Sequence, residues 1–285
     1  MTLLAAPPTL LALPPRADVG ELARAWFVEA SWVREPAAAP ARAAAIGARF
    51  RGAPGPRAEP GQLRLTWAAY LEGPLDRSAL TELGVDTPET LPRALFCLHV
   101  DPAAPPDARL AGWMRAAARR AGGAVLDPTL GVLDLGEPAE GLTVFSAVPL
   151  TPEAALGLVR SVAPGGRLAS VPGPDEGIAP YTLELPSQFD GTVVLHFARA
   201  AELPVSLLQL DWRDYGPFAY QVAWVPPEGQ GAHSDAQLER IARGRSRPVV
   251  ARTAAVLSRS TGGAVVDPDG FVLAAEEVLA RAVAL

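Results

Sequence analysis

One short segment of the sequence brings an acid, a base and a nucleophile to spacings of two residues. Cys97, His99 and Asp101 alternate with the apolar residues Phe96, Leu98 and Val100. Because successive side chains of a β-strand point to opposite faces, a strand over residues 94–100 places the thiol, imidazole and carboxylate on one side. A nearby imidazole can take the proton from a thiol and create a nucleophile. These three residues are therefore the candidate catalytic set.

The same three residues also have a purely structural interpretation. Pro102 follows Asp101, so the carboxylate can end the strand at the surface. Cys97 can pack as a small apolar group. Substitution of Cys97 and His99 distinguishes the two interpretations, because core residues affect stability while site residues affect binding.

Polar residues at alternate positions of other predicted strands are candidate ligand contacts. Residues 63–70 alternate between apolar and polar types, which is typical of a strand. If the sheets of two halves face each other, a cavity between them would be lined by Cys97 and His99 and by the ligand-binding candidates Arg64, Thr66, Tyr70 and Gln221. A deep closed pocket of this kind indicates an enzyme that binds a small molecule.

A charged aromatic loop is the candidate contact for a partner protein. The sequence Asp-Trp-Arg-Asp-Tyr-Gly-Pro contains Trp212, Arg213 and Tyr215. Aromatic residues and arginine are enriched at protein interfaces. The alternative is a hinge that covers the edge of the core.

Signatures of metal and nucleotide sites are missing from the sequence. The three histidines His99, His196 and His233 have no companions at metal-ligand spacing. All 25 basic residues are arginine, so a Walker loop, which needs lysine, is excluded. Neither a G-x-S-x-G nor an H-E-x-x-H motif is present. We therefore expect no metal and no cofactor.

Charge and composition narrow the class of partner. The net charge is −6, and the basic residues form no block longer than short pairs such as Arg119-Arg120, so nucleic acid is not expected. One cysteine cannot form an internal disulfide, which fits a reducing cytoplasm. The apolar stretch 1–15 contains four prolines and no basic start, unlike a signal peptide, and no apolar run is long enough to cross a bilayer. We expect a soluble cytoplasmic bacterial protein without a membrane partner.

An internal repeat gives the best indication of the fold. Gly122–Pro128 reads GGAVLDP and recurs as GGAVVDP at Gly262–Pro268, 140 positions later. The favoured interpretation is structural: glycine ends a helix, the apolar triplet is a buried strand and Asp-Pro begins a turn. The alternative makes Asp127 and Asp267 symmetry-related ligands.

The elements around this repeat predict an α+β fold with an internal duplication. Each half reads β-α-β-β-α-β, the ferredoxin-like order, and pseudo-twofold symmetry would relate the halves 1–140 and 141–285. In the first half, a strand over 10–13 precedes a helix capped by Asp18, with an apolar face that extends to Val33. Loops are predicted at 36–61 and 164–180, and the second half carries an insertion at 226–248. A long helix is predicted over residues 235–260, with a break near Pro248.

The function expected from these observations is that of a non-catalytic binding protein, of a regulatory or immunity type. Its partner would be another protein, and a homodimer is compatible with the sequence. The alternative is the enzyme with a cavity enclosed between two facing sheets. A filled interface between the sheets would favour the binding protein.

Overall fold

The computed structural model describes residues 9–37, 59–75, 94–127, 131–136, 140–170, 178–187, 190–226 and 236–283 of the chain. The chain divides into two compact units, Met1–Glu137 and Pro138–Leu285. Each unit contains one antiparallel sheet of seven strands, and the described residues form five α-helices. The fold is therefore of the mixed α+β class, as the sequence predicts. Within the described ranges, no helix has the length and apolar character required to cross a membrane.

The first unit places two helices on one face of its sheet. Its elements are β1 (Leu10–Leu13), α1 (Val19–Arg24), β2 (Ser31–Arg34), β3 (Gly61–Thr66), β4 (Ala69–Leu75), β5 (Ala94–Val100), α2 (Ala108–Ala121), β6 (Ala124–Asp127) and β7 (Gly131–Val132). The strand order is β2-β3-β4-β5-β1-β6-β7. Leu63, Leu71 and Phe96 pack with Trp113 of α2 in the main core. We call this side the helix face and the other side the opposite face.

The second unit has its own core between a sheet and three helices. Its elements are β8 (Gly141–Ser146), α3 (Pro152–Val162), β9 (Arg167–Ser170), β10 (Tyr181–Pro186), β11 (Thr192–Arg199), a 3₁₀-helix (Val205–Gln209), β12 (Phe218–Val225), α4 (Ala236–Thr261), β13 (Ala264–Val266), β14 (Val272–Leu273) and α5 (Ala275–Val283). The strand order is β9-β10-β11-β12-β8-β13-β14. Leu195, Tyr220 and Leu257 are fully buried in this core.

Side-chain caps fix where helices begin. The carboxylate of Asp18 accepts hydrogen bonds from the backbone N–H groups of Gly20 and Glu21, at 2.8 and 3.0 Å. The hydroxyl oxygen of Thr151 accepts one from Ala154, at 3.3 Å, at the start of α3. Such caps satisfy backbone donors that have no partner within the helix. The cap predicted at Asp18 is therefore confirmed.

Three elements differ from the sequence prediction. Helix α1 ends at Arg24, and Ser31–Arg34 form β2 instead of a further helical turn. Leu22, Trp26 and Ala30, whose spacing predicts the helical face, pack in the core of the first unit. Val33, the last residue of that predicted face, is 62% exposed on β2. Residues 63–70 form two strands, because Thr66 pairs with Ala69 around a turn. Each unit consequently has seven strands, where the predicted order has four.

One segment predicted as a loop contains a strand, and one predicted break in a helix is absent. Arg167–Ser170 form β9, which pairs with β10 and ends that side of the sheet. Helix α4 continues through Pro248, where the sequence predicts a break. Val250, Ala251 and Ala254 of α4 are buried in the core, and this tertiary packing outweighs the low helix propensity of proline.

In each of the two repeated Gly-Gly pairs, the first glycine ends a helix and the second passes close to a neighbouring strand. Gly122 and Gly262 have φ of 68° and 64°, in the left-handed region that favours glycine, at the ends of α2 and α4. The following glycines pass close to another strand. A Cβ on Gly123 would collide with the carbonyl oxygen of Ala12, and one on Gly263 would lie 2.6 Å from that of Phe145. The helix ends and the strands that the structural interpretation predicts are therefore confirmed in both copies, whereas Pro128 of the first predicted turn lies outside the described residues.

We expect Gly263→Ala to lower the free energy of unfolding by about 1–3 kcal/mol, because the new methyl group must displace backbone. The matched control is Gly157→Ala in the middle of α3, where a Cβ meets no atom within 4 Å. That variant should gain about 0.5–1 kcal/mol from helix propensity. Urea denaturation measures both. An equal effect at the two positions would contradict the close approach at Gly263.

Candidate binding surface on the first unit

The opposite face of the first sheet carries a row of three polar side chains. Leu63 and Leu65 of β3 are buried on the helix face, so Arg64 between them points to the opposite face. The register pairs Arg64 with Tyr70 of β4, and Tyr70 with His99 of β5. Cross-strand partners lie side by side on one face of a sheet. The register therefore aligns these three residues across three neighbouring strands.

The imidazole of His99 lies between an aromatic ring and a carboxylate. The rings of Tyr70 and His99 stack with centroids 4.7 Å apart and planes 11° apart. Nε2 of His99 lies 3.2 Å from Oε2 of Glu72, and the two side chains are 32% and 36% exposed. The geometry of this contact falls outside that of a hydrogen bond, and Nε2 of His99 has no hydrogen-bond partner among the described residues. The stacked ring and the carboxylate together fix the orientation of the imidazole.

A surface depression of about 680 Å³ brings together five of the predicted site residues, which are Arg64, Thr66, Tyr70, His99 and Asp101. Trp67, at the turn between β3 and β4, also lines it and is 75% exposed. Val33 of β2 contributes a second apolar side chain and is 62% exposed. We call these seven residues the β3–β5 depression.

Asp101, at the edge of the β3–β5 depression, forms hydrogen bonds with nearby backbone groups. Its carboxylate accepts a hydrogen bond of 2.9 Å from the N–H of Ala103. Its own N–H donates to the carbonyl oxygen of Ala68, at 2.8 Å. Both bonds shape the turn that follows β5, as expected of a residue that ends a strand at the surface.

Cys97 lies on the same face as His99 but in an apolar environment. It is fully buried in a cluster with Leu10, Leu95 and Leu126. Burial, and secondarily the charge of Glu72, raise the pKa of the Cys97 thiol to about 11. Because the thiolate is the nucleophilic form, this raised pKa opposes nucleophilic reaction of Cys97 near neutral pH.

Gln221 does not line the β3–β5 depression. It belongs to β12 of the second unit, where it pairs with His196 of β11. Nδ1 of His196 lies 3.2 Å from the hydroxyl oxygen of Thr182 on β10. These side chains form a separate polar group on the second sheet.

The aromatic loop of the second unit is only partly available for a partner. Trp212 is 69% exposed, and the guanidinium of Arg213 lies 4.5 Å from the centroid of its ring. Arg213 also contacts the carboxylate of Asp211 at 3.3 Å. Tyr215 instead packs against a buried cluster around Phe145 and Leu207. Two of the three predicted contacts therefore lie at the surface.

Three side chains at or beside the β3–β5 depression were not predicted as candidates from the sequence. Val33 falls on a predicted helix, Trp67 on a predicted strand, and Glu72 beyond the strand assigned to residues 63–70. A turn at Trp67-Ala68 contains none of the residues that usually mark turns, so only the strand pairing reveals it.

Among the described residues, no three His, Cys, Asp or Glu side chains are grouped closely enough to hold a metal ion. No protein-family model, curated protein or solved structure matches this chain.

We expect Cys97 in the folded chain to react with an aromatic disulfide reagent at about pH 8 at least about 100-fold more slowly than in urea, because the raised pKa leaves little thiolate. The labelling rate of the folded chain should increase with pH until the pH approaches the pKa of the Cys97 thiol. The chain has one cysteine, so the released thiol chromophore reports this residue alone. Rapid stoichiometric labelling of the folded protein would instead show an accessible thiolate next to His99.

Proposed function

We propose that this chain is a non-catalytic binding protein, that its partner is another protein, and that the β3–β5 depression is the contact surface. The observation that carries the proposal is the exposed Trp67 beside Arg64, Tyr70 and Val33 in one shallow depression. Tryptophan, tyrosine and arginine contribute most to binding energy at protein interfaces. An exposed tryptophan gains its hydrophobic free energy only when a partner covers it.

The chemistry of the depression favours a partner with an apolar side chain next to an acidic group. Trp67 and Val33 offer apolar surface for the first. The exposed guanidinium of Arg64 donates to the hydroxyl of Ser31 at 3.2 Å and has further donors for a carboxylate. A shallow mixed surface of this kind is typical of protein recognition, whereas small-molecule sites are concave and mostly apolar.

The second unit supports a role for Arg64 in recognition. Cross-strand partners can be counted across each sheet from Leu126 and Val266, which hold the same position in the repeated motif. This count places Glu184 of β10 at the position of Arg64 in β3. Arg167 of β9 holds the Glu184 carboxylate through two hydrogen bonds of 2.9 and 2.7 Å. Arg64, at the same position in the first unit, forms no such ion pair among the described residues. A carboxylate of a partner protein would supply one.

We also propose that the two units are copies that arose by duplication, as the repeated Gly-Gly motif predicts. The strand orders correspond element by element along the two sheets. The helix caps Asp18 and Thr151 follow β1 and β8 at the same distance, five residues after each strand ends. The register shift in β2, between Trp32 and Arg34, has its counterpart between β9 and β10. The ferredoxin-like order would then describe only part of each copy.

The partner surface is tested by two single substitutions of exposed tryptophans. Wild-type protein immobilised on resin captures proteins from a lysate of the native host, and the captured partner is purified and titrated by calorimetry. We expect Trp67→Ala to weaken this binding about thirtyfold, equivalent to about 2 kcal/mol, a typical hot-spot value. The control Trp212→Ala removes an equally exposed ring and should change the affinity by less than about twofold.

The same titrations distinguish the other possibilities. If Trp212→Ala loses binding and Trp67→Ala keeps it, the partner contacts the aromatic loop that contains Trp212 and not the β3–β5 depression. Equal affinity in all three proteins would refute both surfaces. If the purified chain consumes a metabolite and His99→Gln abolishes the turnover, the enzyme interpretation replaces the binding protein.

A further inference from the structure

The second unit has a surface groove of about 410 Å³ where helix α4 ends. The last turns of α4, the strands β13 and β14 and the helix α5 form its walls. Val265, Leu273 and Val278 line the groove and are almost fully buried, and Leu279 also lines it and is 47% exposed. The volume lies in the range of small-molecule sites. We call this feature the α4–α5 groove.

Three of the thirteen residues that line the α4–α5 groove have polar side chains, namely Asp214, Ser258 and Arg259. The hydroxyl of Ser258 donates to the carbonyl oxygen of Gly263, at 2.6 Å. Asp214, before β12, and Arg259, in the last turn of α4, are both exposed. Their charged groups form no ion pair with each other or with another described residue. The groove therefore combines apolar walls with one negative and one positive group that face a common space.

The first unit provides an example of what an arginine at this position can bind. Arg119 precedes the Gly-Gly pair of the first repeat by three residues, as Arg259 does in the second repeat. Nη1 of Arg119 donates to the carbonyl oxygen of Leu135. The same repeat position in the second unit is Ala275, where α5 begins, and Arg259 forms no hydrogen bond to it. A bound molecule with an acceptor oxygen, best a carboxylate, would satisfy this guanidinium.

The surroundings of Asp214 favour a cationic group. An ionised carboxylate can only accept hydrogen bonds, so its complement is a donor such as an ammonium. The groove also lies at the C-terminal end of α4, where the helix dipole favours positive charge. A Cβ on Gly262, which follows α4 and lines the groove, would meet no atom within 4 Å, so the space beside this helix end is open.

We propose that the α4–α5 groove binds a free α-amino acid with an aliphatic side chain. Its carboxylate contacts Arg259, its ammonium contacts Asp214, and its side chain lies against the apolar walls. No aromatic ring lines the groove, so an aliphatic side chain gains its free energy from burial alone. The groove belongs to the second unit, so this proposal does not depend on the partner proposed for the β3–β5 depression.

The test titrates the full chain with L-leucine and follows the backbone N–H resonances of Gly262 and Gly263 by NMR. We expect Arg259→Gln and Asp214→Asn each to raise the dissociation constant for L-leucine at least about tenfold. Their melting temperatures should stay within about 2 °C of the wild type, because exposed groups without a partner contribute little to stability. Arg252→Gln is the matched control, since Arg252 is exposed on the same helix and its Nε donates to the carbonyl oxygen of Pro248. This variant should bind L-leucine like the wild type.

Three further probes test each part of the ligand separately. 4-Methylpentanoate is leucine without its ammonium, 3-methylbutylamine is leucine without its carboxylate, and glycine has no side chain. Each should bind at least about tenfold more weakly than L-leucine. Asp214→Asn should not weaken the binding of 4-methylpentanoate further, because this probe has no ammonium for Asp214 to contact.

Three results would each overturn the proposal. The first is equal binding of L-leucine and 4-methylpentanoate by the wild type. The second is binding of L-leucine by Arg259→Gln with the affinity of the wild type. The third is no change of the Gly262 and Gly263 resonances at about 10 mM L-leucine, a concentration that corresponds to very weak affinity.

Discussion

The burial of one face of each sheet against helices is the constraint on which the rest of the structure depends. In the first unit, Leu63, Leu65 and Leu71 are fully buried on the helix face. A slip of one residue in β3 would turn those leucines to the opposite face and bury Arg64 in the core. The cost of burying an unpaired guanidinium excludes that arrangement. The hydrophobic core therefore fixes the register that aligns Arg64, Tyr70 and His99.

The two units have different side chains at the same positions of their sheets. At the positions of Tyr70 and His99, the second unit has Val194 and Ala223. The row of the β3–β5 depression is thus specific to the first unit, although the backbone pairing is shared. On the helix face the second unit has a cluster of four aromatic rings, Tyr181, Phe197, Phe218 and Tyr220. The two sheets thus share their strand order and cross-strand pairing but differ in the side chains that each face presents.

Local signals in the sequence were sufficient for the elements that local interactions determine. The cap at Asp18, the Gly-Gly ends of α2 and α4, and the alternation in β5 all specify structure within a few residues. The predictions that were wrong concern elements whose structure depends on tertiary contacts. The spacing of Trp26 and Val33 fits a helix, but Val33 belongs to a strand because residues 31–34 pair with β3. Helix α4 likewise continues through Pro248 because the helix is packed on the sheet.

The candidate site was predictable in part for the same reason. Alternation places Arg64, Tyr70 and His99 on strand faces, but only long-range pairing shows that the three strands are neighbours. Alternation applies equally to Gln221, and nothing local shows that it lies in the other unit. Trp67 was missed because its turn is set by the pairing of Thr66 with Ala69 and not by a turn residue.

The side chains on the opposite face of β5 change from apolar to polar along the strand. Cys97 is buried among leucines, whereas His99, two residues further, contacts Glu72 and stacks on Tyr70. A reactive thiolate needs a positive neighbour that stabilises its charge. Glu72 lies directly across from Cys97 in β4, and its negative charge acts in the opposite direction by raising the thiol pKa. The carboxylate thus opposes ionisation of the thiol while it lies against the imidazole, so the face offers charged and aromatic contacts without an activated nucleophile.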